Sequence, residues 1–143
     1  MEIERKFLVK KIPENLESYP CLTIEQAYLC TDPVVRIRQE DNSYYMTYKG
    51  KGMMAREEYN LPLNENAYLH LKAKADGRTI TKKRYRIPLG TLTAELDIFS
   101  APRELTLVEV EFSTEEEARS FCPPDWFGED VTTDSRYHNS NMI

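Results

Sequence analysis

The sequence predicts an α+β, mainly β fold: an eight-stranded antiparallel β-barrel, closed around a charged lumen, with a few helices outside it. Three observations lead there. Eight short β-rich runs follow one another between turn signals, one side-chain parity in seven of them is charged, and the opposite parity is apolar in several.

The runs are Glu2–Val9, Leu22–Leu29, Val34–Glu40, Ser43–Lys49, Met54–Leu63, Thr79–Pro88, Thr91–Phe99 and Leu107–Phe112. Asp41-Asn42 and Leu89-Gly90 suit two-residue hairpin connections, and Gly50-Lys51-Gly52 marks another reversal, so neighbouring strands should be antiparallel. Two segments have helical character instead. From Asn64 to about Ala75, residues Ala67, Leu71 and Ala75 share a stripe behind an Asn64 N-cap. Thr114 to Phe121 opens with a capping-box pattern, Thr114 to Glu117, and is stopped by Pro123-Pro124. The tail Asp125–Ile143 is polar but carries Trp126, Phe127, Val131, Tyr137 and Met142, the composition of a segment that packs back on the domain.

At 143 residues and 16.7 kDa the chain fits one domain, residues 1–143, with no repeat, linker or composition break. Its 19 basic and 24 acidic side chains give a net charge of -5, no global reason to approach nucleic acid or an anionic membrane. Cys21, Cys30 and Cys122 lack metal-like spacing and read as incidental thiols of a reduced compartment. No apolar signal core follows Met1 and no run approaches a membrane span, so a cytoplasmic location is expected.

Residues at i and i+2 of a strand share a face, about 6.6 Å apart. One face then collects Glu2, Glu4 and Lys6; Arg36 and Arg38; Lys49; Arg56 and Glu58; Lys82, Arg84 and Arg86; Glu95 and Asp97; and Glu109 and Glu111. A solvated sheet face is the ordinary meaning of such alternation. Here the charges come as like-signed neighbours, which repel by about 0.6 kcal/mol in water and about 2.5 at an effective dielectric of 20. Such pairs call for a counter-charge between them. The face holds seven carboxylates and eight cations, the near-balance an enclosed polar lumen requires. Eight strands suffice to close a barrel, and charges on its inside make sense if the lumen holds a highly charged ligand.

Glu-x-Glu pairs are hard oxygen donors for Mg²⁺ or Mn²⁺, and Arg and Lys at several heights match a chain of phosphates. A metal-bound polyphosphate fits both. Phosphoryl transfer mainly needs the terminal group held in line with a nucleophile and its charge neutralised.

Glu2-Ile-Glu-Arg-Lys6 resembles the Glu-x-Glu-x-Lys signature of the CYTH domain, the triphosphate tunnel metalloenzymes. The resemblance continues in order through Gln26-Ala-Tyr-Leu29, Val35-Arg-Ile-Arg38, Thr47-Tyr-Lys-Gly50, Arg56-Glu-Glu58, Ile80-Thr-Lys-Lys-Arg-Tyr85, Val108-Glu-Val-Glu111, Gly128-Glu-Asp-Val-Thr132 and Arg136-Tyr-His-Asn139. It implies a tunnel that binds triphosphates with Mg²⁺ or Mn²⁺ and usually cleaves the terminal phosphate of tripolyphosphate or a nucleoside triphosphate such as ATP. It also implies Glu2, Glu4 and Glu111 as metal ligands, with Glu109 and Asp97 beside them. Lys6, Arg36, Arg38, Lys49, Arg56, Lys82 and Arg84 are implied as phosphate contacts, with Arg86 extending the row. Glu4, Lys6, Glu58 and Glu109 are the implied catalytic set, Glu58 orienting a second metal or the attacking water. Two positions depart from the pattern: Asn60 where a second Glu is expected, and Ala27 where Gly is usual.

The expected activity is therefore metal-dependent hydrolysis of tripolyphosphate or a nucleoside triphosphate. A class IV adenylate cyclase, a thiamine triphosphatase and a non-catalytic polyphosphate-binding module are the alternatives. Expected partners are small triphosphates, not nucleic acid or membrane, and a homodimer is left open. His70 and His138 belong to no ligand-spaced cluster and read as surface or partly packed histidines. Trp126-Phe127 reads as a tail anchor, and Lys72, Lys74 and Lys83 as solvated charges.

Overall fold

A computed structural model describes residues 1–143. The strands are β1 (Glu2–Val9), β2 (Cys21–Thr31), β3 (Val34–Glu40), β4 (Ser43–Lys49), β5 (Ala55–Arg56), β6 (Glu58–Leu63), β7 (Asp76–Leu89), β8 (Leu92–Ala101), β9 (Leu105–Glu111) and β10 (Phe127–Asp130). The helices are α1 (Glu65–Lys72) and α2 (Glu115–Ser120). The sheet runs β10-β1-β9-β8-β7-β2-β3-β4-β6, with every pairing antiparallel, and β5 returns to β1 through Glu2↔Arg56 and Ile3↔Ala55. That return curls the sheet round on itself.

The expected Met54–Leu63 strand is split at Glu57. Its second part pairs with β4 as β6 and its first part with β1 as β5, so one segment spans the two sides of the closure. The remaining edge of β1 is taken by β10, through Phe7↔Asp130 and Val9↔Phe127. The strand in the tail has only four residues and no alternation long enough to announce it. The β7–β8 turn lies one residue later than expected, at Gly90-Thr91, because Leu89 pairs with Leu92 and Gly90 takes the positive φ of 62°. Gly52 has φ 132°, and a Cβ there would lie 2.1 Å from the Ala55 carbonyl oxygen, so the turn into β5 requires glycine.

The apolar side of the barrel faces outward and is covered. Ile3, Phe7, Ile87, Ala94, Leu96, Val108, Val110 and Phe112 bury against Ala118 of α2 and Phe127 of β10. Ala27 and Ile37 bury against Tyr68 of α1. Tyr68, not Ala67, is the fully buried residue of α1, and its hydroxyl donates to the Glu25 carboxylate at 2.8 Å. Both expected caps form: Asn64 accepts from the Ala67 N–H at 2.7 Å and Thr114 from the Glu117 N–H at 3.1 Å. Arg5, on the outer face of β1, donates to Asp130 and to the Ala118 and Phe121 carbonyls, tying α2 and β10 to the barrel. No helix is long and apolar enough to cross a membrane.

At one end the lumen-facing rows turn apolar. Leu107 follows Glu109 and Glu111 on its row, Phe99 follows Asp97, Ile80 follows Lys82, and Val34 follows Arg36, so the charged interior ends in an apolar ring. Val131, Tyr137, Met142 and Ile143 from the tail pack on this ring and stopper that end. Two 3₁₀ turns, Ser135–Tyr137 and Asn139–Asn141, shape the stopper. The three cysteines are unpaired and exposed.

Candidate active site

The lumen is a cavity of about 200 Å³ with 22 lining residues, only four of them hydrophobic. Of the residues singled out from alternation, Glu2, Glu4, Lys6, Arg36, Arg38, Lys49, Arg56, Glu58, Arg84, Glu95, Glu109 and Glu111 line it together. Asp97 and Lys82 do not. They are fully buried in the wall, with Lys82 Nζ 2.8 Å from Asp97 Oδ2 but not aligned for a hydrogen bond. Asp97 also holds Arg84 in a two-pronged contact at 2.7 and 2.9 Å. Arg86 lies in a second recess of about 460 Å³ with Met1, Thr91 and Thr93, which shares Glu95 and Glu111 with the main cavity.

Two cations are drawn in among the carboxylates. Lys49 Nζ donates to Glu2 at 3.0 and 3.3 Å and lies 3.4 Å from Glu58. Lys6 Nζ lies 3.5 Å from Glu109 and donates to the Tyr137 carbonyl at 2.8 Å. The opposite wall has less acid. Arg38 donates to Gln26 at 2.9 Å and to Glu40 at 3.2 Å. Arg36 donates only to the Thr47 hydroxyl, at 3.1 Å, and its buried Nε has no partner. A buried guanidinium left partly unsatisfied is costly, and an anion in the cavity would satisfy it.

The carboxylates show the complementary need. Burial pushes the Glu4 carboxyl well above its usual range, and Glu109 and Glu2 push it further. Burial likewise raises Glu2 despite Lys49, and raises Glu111 together with Glu58 and Glu95. Burial works against Glu109 and Glu58 too, but Lys6, Arg84 and Lys82 outweigh it at Glu109, which falls well below the usual range. At Glu58 a hydrogen bond with Glu2, the Lys49 charge and Asn60 outweigh burial and bring it to about 2. Like charges held this close share protons, or share a cation. Nowhere do three acidic side chains already converge at ligand spacing, since Lys49 and Lys6 lie between them. The donor set is hard, anionic and short of positive charge at Glu4 and Glu111, which fits a divalent cation held by oxygen.

Some of the lining was not singled out by charge alternation. Glu40 and Tyr45 share the parity of Arg38 and Lys49, so the same reading extended by one step reaches them. Asn60, the departure from the expected Glu, donates to Glu58 at 3.1 Å and accepts from Thr47 at 2.6 Å, so it aligns the acid that remains. Thr132, His138, Asn139 and Ser140 come from the tail, where no periodicity points inward. His138 is partly packed, as expected, but it also faces the cavity.

The family model for the CYTH domain matches residues 1–138. An inorganic triphosphatase of Nitrosomonas europaea is 43% identical over 148 residues, covering 99% of this chain and 95% of that protein. One from Acetivibrio thermocellus is 34% identical, covering 99% and 92%. The crystal structure of the inorganic triphosphatase NE1496 superposes with a TM-score of 0.70 at 38% identity, covering 99% of this chain and 93% of that one. The PH1012 protein of Pyrococcus horikoshii OT3, 23% identical with a TM-score of 0.64 over 83% of this chain and 84% of that one, shares the fold. With its signature residues gathered in one lumen and the family model spanning nearly the whole chain, the protein belongs to the CYTH domain family.

Proposed function

We propose that the protein is a divalent-metal-dependent triphosphatase that releases the terminal phosphate of inorganic tripolyphosphate, with nucleoside triphosphates as poorer substrates. The observation that carries this reading is the lining itself: 22 residues of which four are hydrophobic, with Arg36 unsatisfied on one wall and proton-sharing carboxylates on another. Such a lumen recognises a ligand by its phosphates and offers a base or ring little to stack on. The names of the two relatives, both inorganic triphosphatases aligned over 99% of this chain, point the same way.

In this reading Arg36, Arg38 and Arg84 hold phosphate oxygens, and Lys6, Lys49 and Arg56 complete the cradle. Asp97 acts through Arg84, whose guanidinium it fixes, and Lys82 stiffens that contact from within the wall. Glu2, Glu4 and Glu111 would hold Mg²⁺ or Mn²⁺, with Glu109 beside them, and the ion would supply neutralisation of the charge that develops on the phosphate oxygens. Glu58, whose carboxyl is brought down to about 2, is ionised above that and available to orient a water or a second ion. A divalent ion beside Glu4 and Glu109 would offset the burial and the mutual repulsion that raise Glu4.

The test is phosphate release from tripolyphosphate, ATP and thiamine triphosphate in parallel, with Mg²⁺, Mn²⁺ or chelator, and cyclic AMP measured in the ATP reactions. Chelator-sensitive release of one phosphate, fastest from tripolyphosphate, is expected. Cyclic AMP as the product from ATP, or tight tripolyphosphate binding without turnover, would overturn the reading.

A further inference from the structure

The tail does more than stopper the barrel, because it also contributes part of the cavity wall. His138, Asn139 and Ser140 line the cavity beyond the apolar ring's edge, next to Lys6. His138 Nε2 lies 3.3 Å from the Thr132 carbonyl oxygen, which can only accept, so Nε2 carries the proton and Nδ1 keeps its lone pair. The ring's support is itself anchored. Thr132 accepts from the Lys6 N–H at 3.0 Å and donates to Asp130 at 2.6 Å, and Asp130 is held by Arg5 at 2.8 Å. The imidazole is thus fixed on β1, the strand that carries Glu2, Glu4 and Lys6.

Because the tail packs over one end of the lumen, a linear phosphate chain entering from the other would bring a terminal phosphoryl group toward the stoppered end. The leaving oxygen belongs to the rest of the chain and points to the mouth. In-line displacement then requires the nucleophile on the far side, at the wall the tail supplies. We propose that His138 orients the attacking water there, its Nδ1 accepting a hydrogen bond from it. This rests on the triphosphatase reading above. The water oxygen bonds to the terminal phosphorus as the bridging P–O bond breaks, and the electron pair leaves with pyrophosphate. The released proton goes to the phosphate product. It does not stay on the imidazole, because burial and the Lys6 and Arg56 charges oppose an imidazolium at this position.

The experiment compares wild type, His138→Ala and His138→Asn in steady-state tripolyphosphate hydrolysis with Mg²⁺, alongside binding of the non-hydrolysable imidotriphosphate and thermal unfolding. Asn places an oxygen near the position of Nδ1. His138→Ala is expected to lower kcat by about 100-fold with KM changed less than about twofold, and His138→Asn to restore a measurable part of that loss. Imidotriphosphate affinity is expected to stay at the wild-type value in both. An unchanged kcat in His138→Ala overturns the proposal, as does a loss confined to KM and analogue affinity. Should His138→Ala unfold the tail, His138→Asn decides: wild-type stability with kcat no better than background overturns the acceptor role, and partial activity supports it. A wild-type enzyme that releases no phosphate overturns the triphosphatase reading and this one together, whereas an active wild type puts His138 alone at stake.

Discussion

Lys6 Nζ donates to the Tyr137 carbonyl at 2.8 Å, so a charged residue of the first strand is held by a turn of the tail. The contact sits where the charged rows of the lumen give way to the apolar ring.

The stopper should be energetically real. Met142 is 6% exposed and packs on the ring with Val131, so Met142→Ala should cost about 2–5 kcal/mol. Urea unfolding followed by circular dichroism checks it: the midpoint should fall with an unchanged slope. A midpoint equal to wild type would mean the tail rests on the barrel without supporting it.

Arg36 should trade stability for substrate. Its guanidinium is buried, with one neutral hydrogen bond and an unsatisfied Nε. Arg36→Met should raise the thermal midpoint of the metal-free protein, because a partly unsatisfied buried charge is replaced by an apolar side chain of similar reach. The same variant should raise the KM for tripolyphosphate by about tenfold or more, the worth of a charge-assisted hydrogen bond. A variant both less stable and fully active would contradict the anion role.

Asp97 and Glu4 should behave oppositely. Asp97→Asn breaks the contacts to Arg84 and Lys82 inside the wall and should destabilise by about 3–5 kcal/mol, with or without metal. Glu4→Gln removes a carboxyl whose ionisation burial opposes, so the metal-free fold should keep or gain stability while metal-dependent turnover is lost. Thermal unfolding with and without Mg²⁺ separates the two, and a Glu4→Gln enzyme with undiminished turnover would remove Glu4 from the metal site.

Stability should depend on pH in a way that metal reverses. Glu2, Glu4 and Glu111 are raised in the folded state, which then binds more protons than the unfolded chain above about pH 4.5. Their contribution to stability is therefore lost as pH rises through the folded values. Glu58, lowered to about 2, contributes above about pH 4.5 and is lost as pH falls toward 2. Mg²⁺ binds the ionised carboxylates, so the rise in thermal midpoint on adding it should be larger at pH 8 than at pH 5.5. An equal rise at both values would place the ion elsewhere.

Side-chain alternation made the barrel and most of its lumen readable in advance, because one geometric rule acts on every strand. It grouped Glu2, Glu4, Lys6, Arg36, Arg38 and Lys49, which the structure brings together. It could not separate residues facing the cavity from those sealed in the wall, as Asp97 and Lys82 are, because both share the inward parity: Arg84 lines the cavity while Asp97, directly opposite it on β8, is buried by its contacts with Arg84 and Lys82. The tail was legible only as a segment that packs. Its cavity residues Thr132, His138 and Asn139 lie in turns, where neighbouring side chains obey no repeating direction, and their placement depends on contacts such as Lys6 N–H to Thr132, separated by 126 positions in sequence.

That separation has a consequence for synthesis. β1 is made before its partners, and one of its edges is finished only by Ala55–Arg56 and by Phe127–Asp130. Until residues 127–132 emerge, Phe7 and the backbone of Lys6 and Val9 wait without partners on that edge, open to any other extended strand nearby. From the synthesis of β1 to that of β10 the nascent chain therefore carries an adhesive segment. A chaperone that shields short apolar strands should therefore raise the yield of folded protein.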